Sequence, residues 1–134
     1  MFFFEKKEDK ILFIDFGFAV NMENFENLKR YEGTTHFASN TLLQIINDAK
    51  KQRNWPFHEP SVKDDLESLI KTFYCLIFPH KARELQGIDK FACDKLLTFW
   101  NEVFSNNDFF KKLVDLCENK EYDDLIGQFK AFLF

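Results

Sequence analysis

Glycine is scarce in this chain, and its scarcity excludes one common kind of nucleotide site. Only four of the 134 residues are glycine, at positions Gly17, Gly33, Gly87 and Gly127. Loops that cradle phosphates need several glycines within a few residues, so that backbone N–H groups can approach the ligand closely. The four glycines are too far apart for that, and no glycine-rich phosphate loop can be placed anywhere in the sequence.

Cysteine and long apolar runs are equally scarce. The three cysteines, Cys75, Cys93 and Cys117, form neither a disulfide framework nor a zinc motif, because they are odd in number and widely spaced. No apolar run approaches the roughly 20 residues of a membrane-spanning helix. The apolar start of the chain is too short for a signal peptide and runs at once into charges. We therefore expect an intracellular protein, cytoplasmic or nuclear, that does not enter a membrane.

The chain also lacks a net positive charge, because its 22 acidic residues outnumber its 18 lysines and arginines. The formal net charge is −4, which argues against a general nucleic-acid-binding surface. Hydrophobic residues make up 46% of the chain, which argues against disorder, and they include 19 phenylalanines, so a phenylalanine-rich core is expected. The length suits one domain.

The spacing of apolar residues predicts a mainly α-helical fold with a small N-terminal β-hairpin. Phe2–Phe4 and Lys10–Asp15 are the expected strands, and the charged stretch between them would turn the chain. The segments 18–35 and 52–60 are expected to be loops. Helices are predicted over five ranges, which are 40–51, 62–78, 91–104, 108–118 and 123–134.

The helix over 62–78 is predicted to be the centre of the domain. Ser61 and Asp64 have the spacing of a capping box, and Pro79 marks a stop. Its apolar residues cover more than one stripe, so it should be buried on most sides. They are Leu66, Leu69, Ile70, Phe73, Tyr74, Leu76, Ile77 and Phe78.

The most informative stretch is an apolar run, residues 11–14, that leads straight into Asp15, Phe16 and Gly17. It predicts a buried strand that delivers one carboxylate to a tight turn. An Asp-Phe-Gly triplet after a strand is the Mg²⁺-binding signature of protein kinases. It could also be an ordinary exit from a strand, since Asp and Gly are common in turns.

Three blocks in order give the chain its resemblance to the casein kinase 1 family of serine/threonine protein kinases. The first is residues 14–19, which resembles the start of the activation segment. The second, Gly33-Thr34-Thr35-His36-Phe37-Ala38-Ser39-Asn40, resembles the end of that segment, and the third, residues 64–69, resembles the start of the central buried helix. The last helix, about 123–134, is similar as well. The resemblance implies a partial kinase large lobe over residues 1–134, with the activation segment at about 15–40.

The resemblance also implies roles for individual residues. Asp15 would hold the Mg²⁺ that bridges the phosphates of ATP, with Phe16 and Gly17 setting its position. Gly33 and Thr34 would shape the floor on which a protein substrate lies. Asp65, at the start of the central helix, would have a structural role as an acceptor for the backbone of the catalytic loop.

Parts that a working kinase needs do not occur in this sequence. It contains no His-Arg-Asp catalytic loop and no glycine-rich loop, and too few residues precede Asp15 for a small lobe. Phosphoryl transfer depends on positioning and charge stabilisation, so this chain is expected to be inactive by itself and to bind ATP and Mg²⁺ weakly.

Three hypotheses follow for function. The chain is a fragment of a casein-kinase-1-like kinase, a pseudokinase-like piece without activity of its own. Alternatively it is a regulatory or interaction module that reuses the large lobe to bind a protein partner, or it is an unrelated helical binding domain. The sequence lacks the helix that covers the central helix in kinases. Leu66, Leu69, Phe73 or Tyr74 would then be exposed, which predicts self-association through an apolar patch or a need for a partner.

Overall fold

The computed structural model describes residues 2–5, 10–13, 29–30, 35–53, 57–59 and 61–133, with the backbone alone for the strands and for Leu133. This part of the chain is mainly helical. A short 3₁₀ turn at Thr35–Phe37 precedes six α-helices. They are α1 (Asn40–Lys51), α2 (Val62–Ile77), α3 (Pro79–Gln86), α4 (Cys93–Ser105), α5 (Asp108–Glu118) and α6 (Tyr122–Leu133).

Four short strands form two separate antiparallel pairs. Strands β1 (Phe2–Glu5) and β2 (Lys10–Phe13) pair with Phe2 opposite Phe13. Residues 6–9, where the predicted hairpin would turn, lie outside the described residues. Strands β3 (Lys29–Arg30) and β4 (Phe57–His58) form the second pair, inside segments that were predicted to be loops.

Serine side chains cap the N-terminal ends of α1 and α2. Ser39 precedes α1 and accepts a hydrogen bond from the backbone N–H of Leu42, and Ser61 accepts one from Lys63 ahead of α2. Such caps satisfy N–H groups that have no partner within the helix. Asp64, the predicted second member of the capping box, instead binds a side chain of another element, as described below.

Helix α2 lies between the other elements and carries much of the core. It packs against α5 and α3, α4 packs against α1, and α6 packs against α5. The most buried large side chain is Trp100 of α4, and Tyr74 of α2 packs edge-on against it with ring centroids 6.0 Å apart. Phe110 of α5 packs edge-on against the same Tyr74 ring at 5.2 Å. The core is thus an aromatic cluster enclosed by aliphatic side chains from α1, α4 and α5.

Pro79 both ends one helix and begins another. The sequence predicted only a stop, but α3 starts at Pro79 itself, which occupies the first helical position. Proline suits that position because its missing N–H would have no helical partner there and its φ is already helical. The prediction was therefore incomplete.

The helix predicted over 91–104 begins two residues later than expected, at Cys93. Phe91 was predicted to face inward, but 63% of it is exposed. It precedes the helix, so the helical spacing used to place it on the inner face does not apply. Of the phenylalanines whose side chains are described, only Phe73, Phe104 and Phe110 are buried.

The apolar surface expected on α2 is smaller than predicted. Phe73 and Tyr74 are buried, Phe73 because Phe129 of α6 packs on it with ring centroids 5.3 Å apart. Leu66 and Leu69 are partly buried. Leu76 is 61% exposed, so the prediction that α2 is buried on most sides fails at this position.

Across the described residues, no helix combines the length and the apolar character that crossing a membrane requires.

Candidate functional site

Of the six residues proposed for the site, one lies in the described part of the chain. Asp15, Phe16 and Gly17, proposed for ATP and Mg²⁺, lie outside the described residues. So do Gly33 and Thr34, proposed for substrate binding. Asp65 lies in the first turn of α2, exposed, and its backbone N–H donates to the carbonyl of Ser61 at 3.3 Å.

The acidic residue that connects the start of α2 to another element is the neighbour of Asp65. Asp64 is buried, and its Oδ1 accepts a hydrogen bond of 2.6 Å from the hydroxyl of Ser39. Because Ser39 also caps α1, the Ser39 side chain joins the N-terminal ends of α1 and α2. A negative charge at Asp64 is further favoured by the dipole of α2.

One helical turn further along α2, two opposite charges are buried together. Glu67 and Lys71 are four residues apart and almost inaccessible to solvent, and their charged groups are 3.6 Å apart. Lys71 Nζ donates to the carbonyl oxygen of Ala38 at 2.6 Å and to Oδ1 of Asn40 at 2.8 Å. Glu67 accepts from the backbone N–H of Asn40. The pair therefore holds residues 38–40 against the middle of α2.

Aromatic contacts complete the environment of Lys71. Its ammonium lies over the ring of Trp100, 5.1 Å from the centroid, where the negative face of the indole attracts a cation. Trp100 in turn donates through Nε1 to the carbonyl of His36 at 2.8 Å. Burial lowers the pKa of Lys71 to about 8, and the neighbouring Glu67 carboxylate opposes this shift.

We call Ser39, Asn40, Asp64, Glu67 and Lys71 the polar cluster. Each of its charged groups has a partner within hydrogen-bonding or ion-pair distance, so burial leaves none of them uncompensated. The cluster connects residues 38–40 to α2 through these bonds. Its geometry therefore indicates a structural connection between α1 and α2.

Sequence analysis did not find the polar cluster, although one signal was present. Glu67 and Lys71 have the i, i+4 spacing of a helical ion pair, within a helix whose apolar residues cover more than one stripe. Charges inside such a run have to be paired if the helix is buried on most sides. That argument could have predicted the pair but not its partners on residues 38–40.

A groove lies at the opposite end of α2, where α2 meets α3 and the junction of α4 with α5. Its volume is about 290 Å³. Tyr74 of α2, Phe78 directly after α2 and Phe99 of α4 supply aromatic walls, and Glu84 and Glu102 supply carboxylates. Unlike the polar cluster, the groove is open and combines apolar walls with polar groups, as binding sites for small ligands do.

The three cysteines are free thiols and buried. Burial raises the pKa of Cys75 and of Cys117 to about 11, and it also raises the pKa of Cys93. A thiol must lose its proton to act as a nucleophile or metal ligand. At neutral pH these cysteines therefore behave as small apolar core residues.

The structure provides no further candidate for holding Mg²⁺ within its described part. No group of three or more His, Cys, Asp or Glu side chains there could hold a metal ion. The residues that would hold Mg²⁺ and ATP according to the resemblance are Asp15 and its neighbours, which lie outside the described residues. Asp64 and Glu67 of the polar cluster are buried, and each accepts a hydrogen bond from residues 39–40, at Oδ1 of Asp64 and Oε2 of Glu67.

Comparisons with known proteins identify no relative. No protein-family model matches the chain, and neither the curated proteins nor the solved structures yield a match.

Proposed function

We propose that this chain is a partial protein-kinase large lobe, similar to that of the casein kinase 1 family, that does not transfer phosphate by itself. In this proposal β1 and β2 belong to one hairpin, residues 15–40 form the activation segment, and α2 is the central helix. ATP and Mg²⁺ would approach Asp15, Phe16 and Gly17, and a protein substrate would approach Gly33 and Thr34.

The observation that carries the proposal is the contact between two of the three blocks. Ser39 and Asn40 end the second block, and Asp64 and Glu67 belong to the third. They are joined by the Ser39–Asp64 hydrogen bond of 2.6 Å and by the bond from the Asn40 N–H to Glu67. Blocks separated by more than 20 residues of sequence are thus neighbours in space, as the resemblance requires. This supports a shared architecture, although fold alone does not establish an activity.

Catalysis by this chain alone is not part of the proposal. The sequence contains neither a His-Arg-Asp loop for the substrate hydroxyl proton nor the Asn that follows it as a second metal ligand. Asp15 could contribute one carboxylate to Mg²⁺ when the metal is bound. Without the remaining groups, the phosphate would be neither aligned nor stabilised in the transition state.

A role as a regulatory or interaction module is the second candidate. The groove at the end of α2 favours it, because it offers binding groups that the polar cluster lacks. Exposed apolar side chains on α2 and α6, namely Leu76, Ile126 and Phe132, offer a surface for a protein partner or a second copy. The three free cysteines support the proposed cytoplasmic or nuclear location, where thiols stay reduced.

An NMR titration with Mn²⁺ and ATP tests the proposal. Paramagnetic Mn²⁺ at Asp15 should broaden the amide signals of Phe16 and Gly17, and Asp15→Asn should abolish the broadening. The matched control is Asp115→Asn, an exposed carboxylate of α5, which should leave it unchanged. A parallel assay with casein should show no phosphate transfer.

Each result separates the two candidates. Absence of selective broadening near Asp15 would overturn the kinase-lobe assignment of that residue and favour the interaction module. Measurable phosphate transfer that Asp15→Asn removes would overturn the claim of inactivity.

The mass of the endogenous protein, detected with an antibody against residues 40–60, adds a third criterion. A species much heavier than 16.1 kDa would favour a fragment of a longer kinase, and one at 16.1 kDa would favour the module.

A further inference from the structure

The groove at the end of α2 contains a buried polar atom without a protein partner. Tyr74 is only 5% exposed and lines the groove. Its hydroxyl makes no hydrogen bond to any residue in the described part of the chain, although its ring packs against three other aromatic rings. Buried polar atoms are nearly always satisfied, by protein or by ordered water, and a ligand that enters a groove can replace such a water. The Tyr74 hydroxyl is therefore available to something that enters the groove.

The walls beside Tyr74 are aromatic. Phe78 follows it by one helical turn, with the two ring centroids 4.8 Å apart, and Phe99 of α4 lies across the groove. Faces of aromatic rings carry negative charge density, which attracts cations that have shed part of their water. Walls of this kind suit a flat or compact organic cation with apolar neighbours.

The charges around the groove also favour a cation. Glu84 and Glu102 line it, and the positive group among the lining residues of α3 is Lys81, which is 3.1 Å from Glu84. The opposite charges of Lys81 and Glu84 cancel each other. With histidine counted as neutral, Glu102 leaves the rim with a net negative charge, in keeping with the net charge of −4 for the whole chain. Burial raises the pKa of Tyr74, and the charges of Lys81, which lowers it, and of Glu84, which raises it, have smaller effects.

We infer that this groove binds the guanidinium group of an arginine side chain. The ring faces of Phe78 and Phe99 would stack on the flat cation, the Tyr74 oxygen would accept one N–H, and Glu102 would supply the opposing charge. Guanidinium fits better than ammonium because it is planar, weakly hydrated and able to stack while it donates in its own plane. A volume of about 290 Å³ holds one such side chain but not a large ligand. This site is separate from the residues proposed for ATP and substrate, and goes beyond that proposal.

The test uses the full chain and Nα-acetyl-L-arginine methylamide as probe, followed by two-dimensional ¹H–¹⁵N NMR. Saturable shifts are expected for amides around the groove, including those of Phe78, Glu102 and Asn106. The citrulline analogue has nearly the same shape without the charge, and should shift them much less. A Gly-Gly-Arg-Gly-Gly peptide that binds equally well would identify a protein partner as the source of the arginine. Binding of the free amide alone would identify a small molecule with the same chemistry.

Two variants assign the binding to the groove. Glu102→Gln removes one charge from an exposed residue and should weaken binding of the probe about fivefold. Tyr74→Phe keeps the ring but removes the acceptor, and should weaken binding about threefold or more. Asp115→Asn makes the same change of charge elsewhere and should have no effect.

The inference is overturned by any of three results. They are the absence of saturable shifts at these amides, equal shifts with the citrulline analogue, and probe binding that Glu102→Gln leaves unchanged. Shifts of the same amides by inorganic phosphate instead of the arginine probe would also overturn it, because Lys81 and His80 would then make the groove an anion site. Glu102 is exposed, so its variant remains informative even if Tyr74→Phe is poorly folded.

Discussion

The two ends of α2 differ in whether their buried polar groups have partners within the protein. At the N-terminal end, Asp64, Glu67 and Lys71 are buried with partners for every charge. At the C-terminal end, Tyr74 is buried with a hydroxyl that no described residue satisfies. A saturated group stabilises a connection between elements, whereas an unsatisfied group facing a groove can bind a ligand. The contrast therefore separates a structural region from a candidate binding region within one helix.

The largest effect should come from removing one charge at the saturated end. Lys71→Met leaves Glu67 buried without its ion-pair partner, and we expect a loss of about 3–5 kcal/mol in the free energy of unfolding. The measurement is urea denaturation followed by tryptophan fluorescence, since Trp100 contacts Lys71. The double variant Glu67→Gln, Lys71→Met should recover much of this loss. A double variant as unstable as the single one would show that the charges are not coupled.

A smaller effect is expected at the two serine caps, which form a matched pair. Ser39→Ala removes both the cap of α1 and the partner of buried Asp64, so it should cost about 2 kcal/mol. Ser61→Ala removes a cap alone and should cost about 1 kcal/mol. Thermal and urea unfolding of both variants measure the difference. Equal losses would mean that the Ser39–Asp64 bond does not stabilise the fold.

The pH dependence of stability sharpens the same contrast. Burial lowers the pKa of Lys71 to about 8 from an ordinary value of 10.5, so between these values the unfolded chain binds more protons than the folded chain. Stability due to Lys71 should therefore rise with pH from about 8 to 10.5, by at most about 1.4 kcal/mol per pH unit. The raised pKa values of Cys75 and Cys117 act in the opposite direction above pH 9.

The wild type and the double variant Glu67→Gln, Lys71→Met should be unfolded in urea across this pH range. The cysteines are common to both proteins, and burial is the main cause of their raised pKa values, so most of their contribution cancels from the difference in stability. We expect that difference to move in favour of the wild type as the pH rises. A difference that is flat between pH 8 and 10 would contradict a lowered pKa for Lys71.

The smallest effect is expected at the open end of α2. Tyr74→Phe removes a hydroxyl that has no protein partner, so stability should change by less than about 0.5 kcal/mol. Trp100→Phe is the comparison, because it removes the bond from Nε1 to the carbonyl of His36 and also leaves a cavity. It should cost clearly more in the same urea experiment. A loss of 1 kcal/mol or more in Tyr74→Phe would show that the hydroxyl is already satisfied.

The sequence alone determined the helical character and most of the helix positions. The helices α1 and α5 coincide with the predicted ranges, and α2 and α6 are each within one residue of theirs at either end. Apolar periodicity, Ser61 and Pro79 are local signals, and helix formation and capping are governed by local interactions. Local signals did not show that Pro79 would begin a new helix, because the same residue suits both a stop and a start.

The tertiary structure decided which polar residues are buried and with what partners. Asp64 and Asp65 are adjacent and identical in type, yet Asp64 is buried against Ser39 and Asp65 is exposed. The sequence favoured Asp65 through its resemblance to a kinase, and no periodicity distinguishes the two. Likewise Phe73 is covered in part because α6 returns to pack Phe129 against it. Helices that are distant in sequence make these contacts, so burial, pKa shifts and the groove follow from packing that no local pattern encodes.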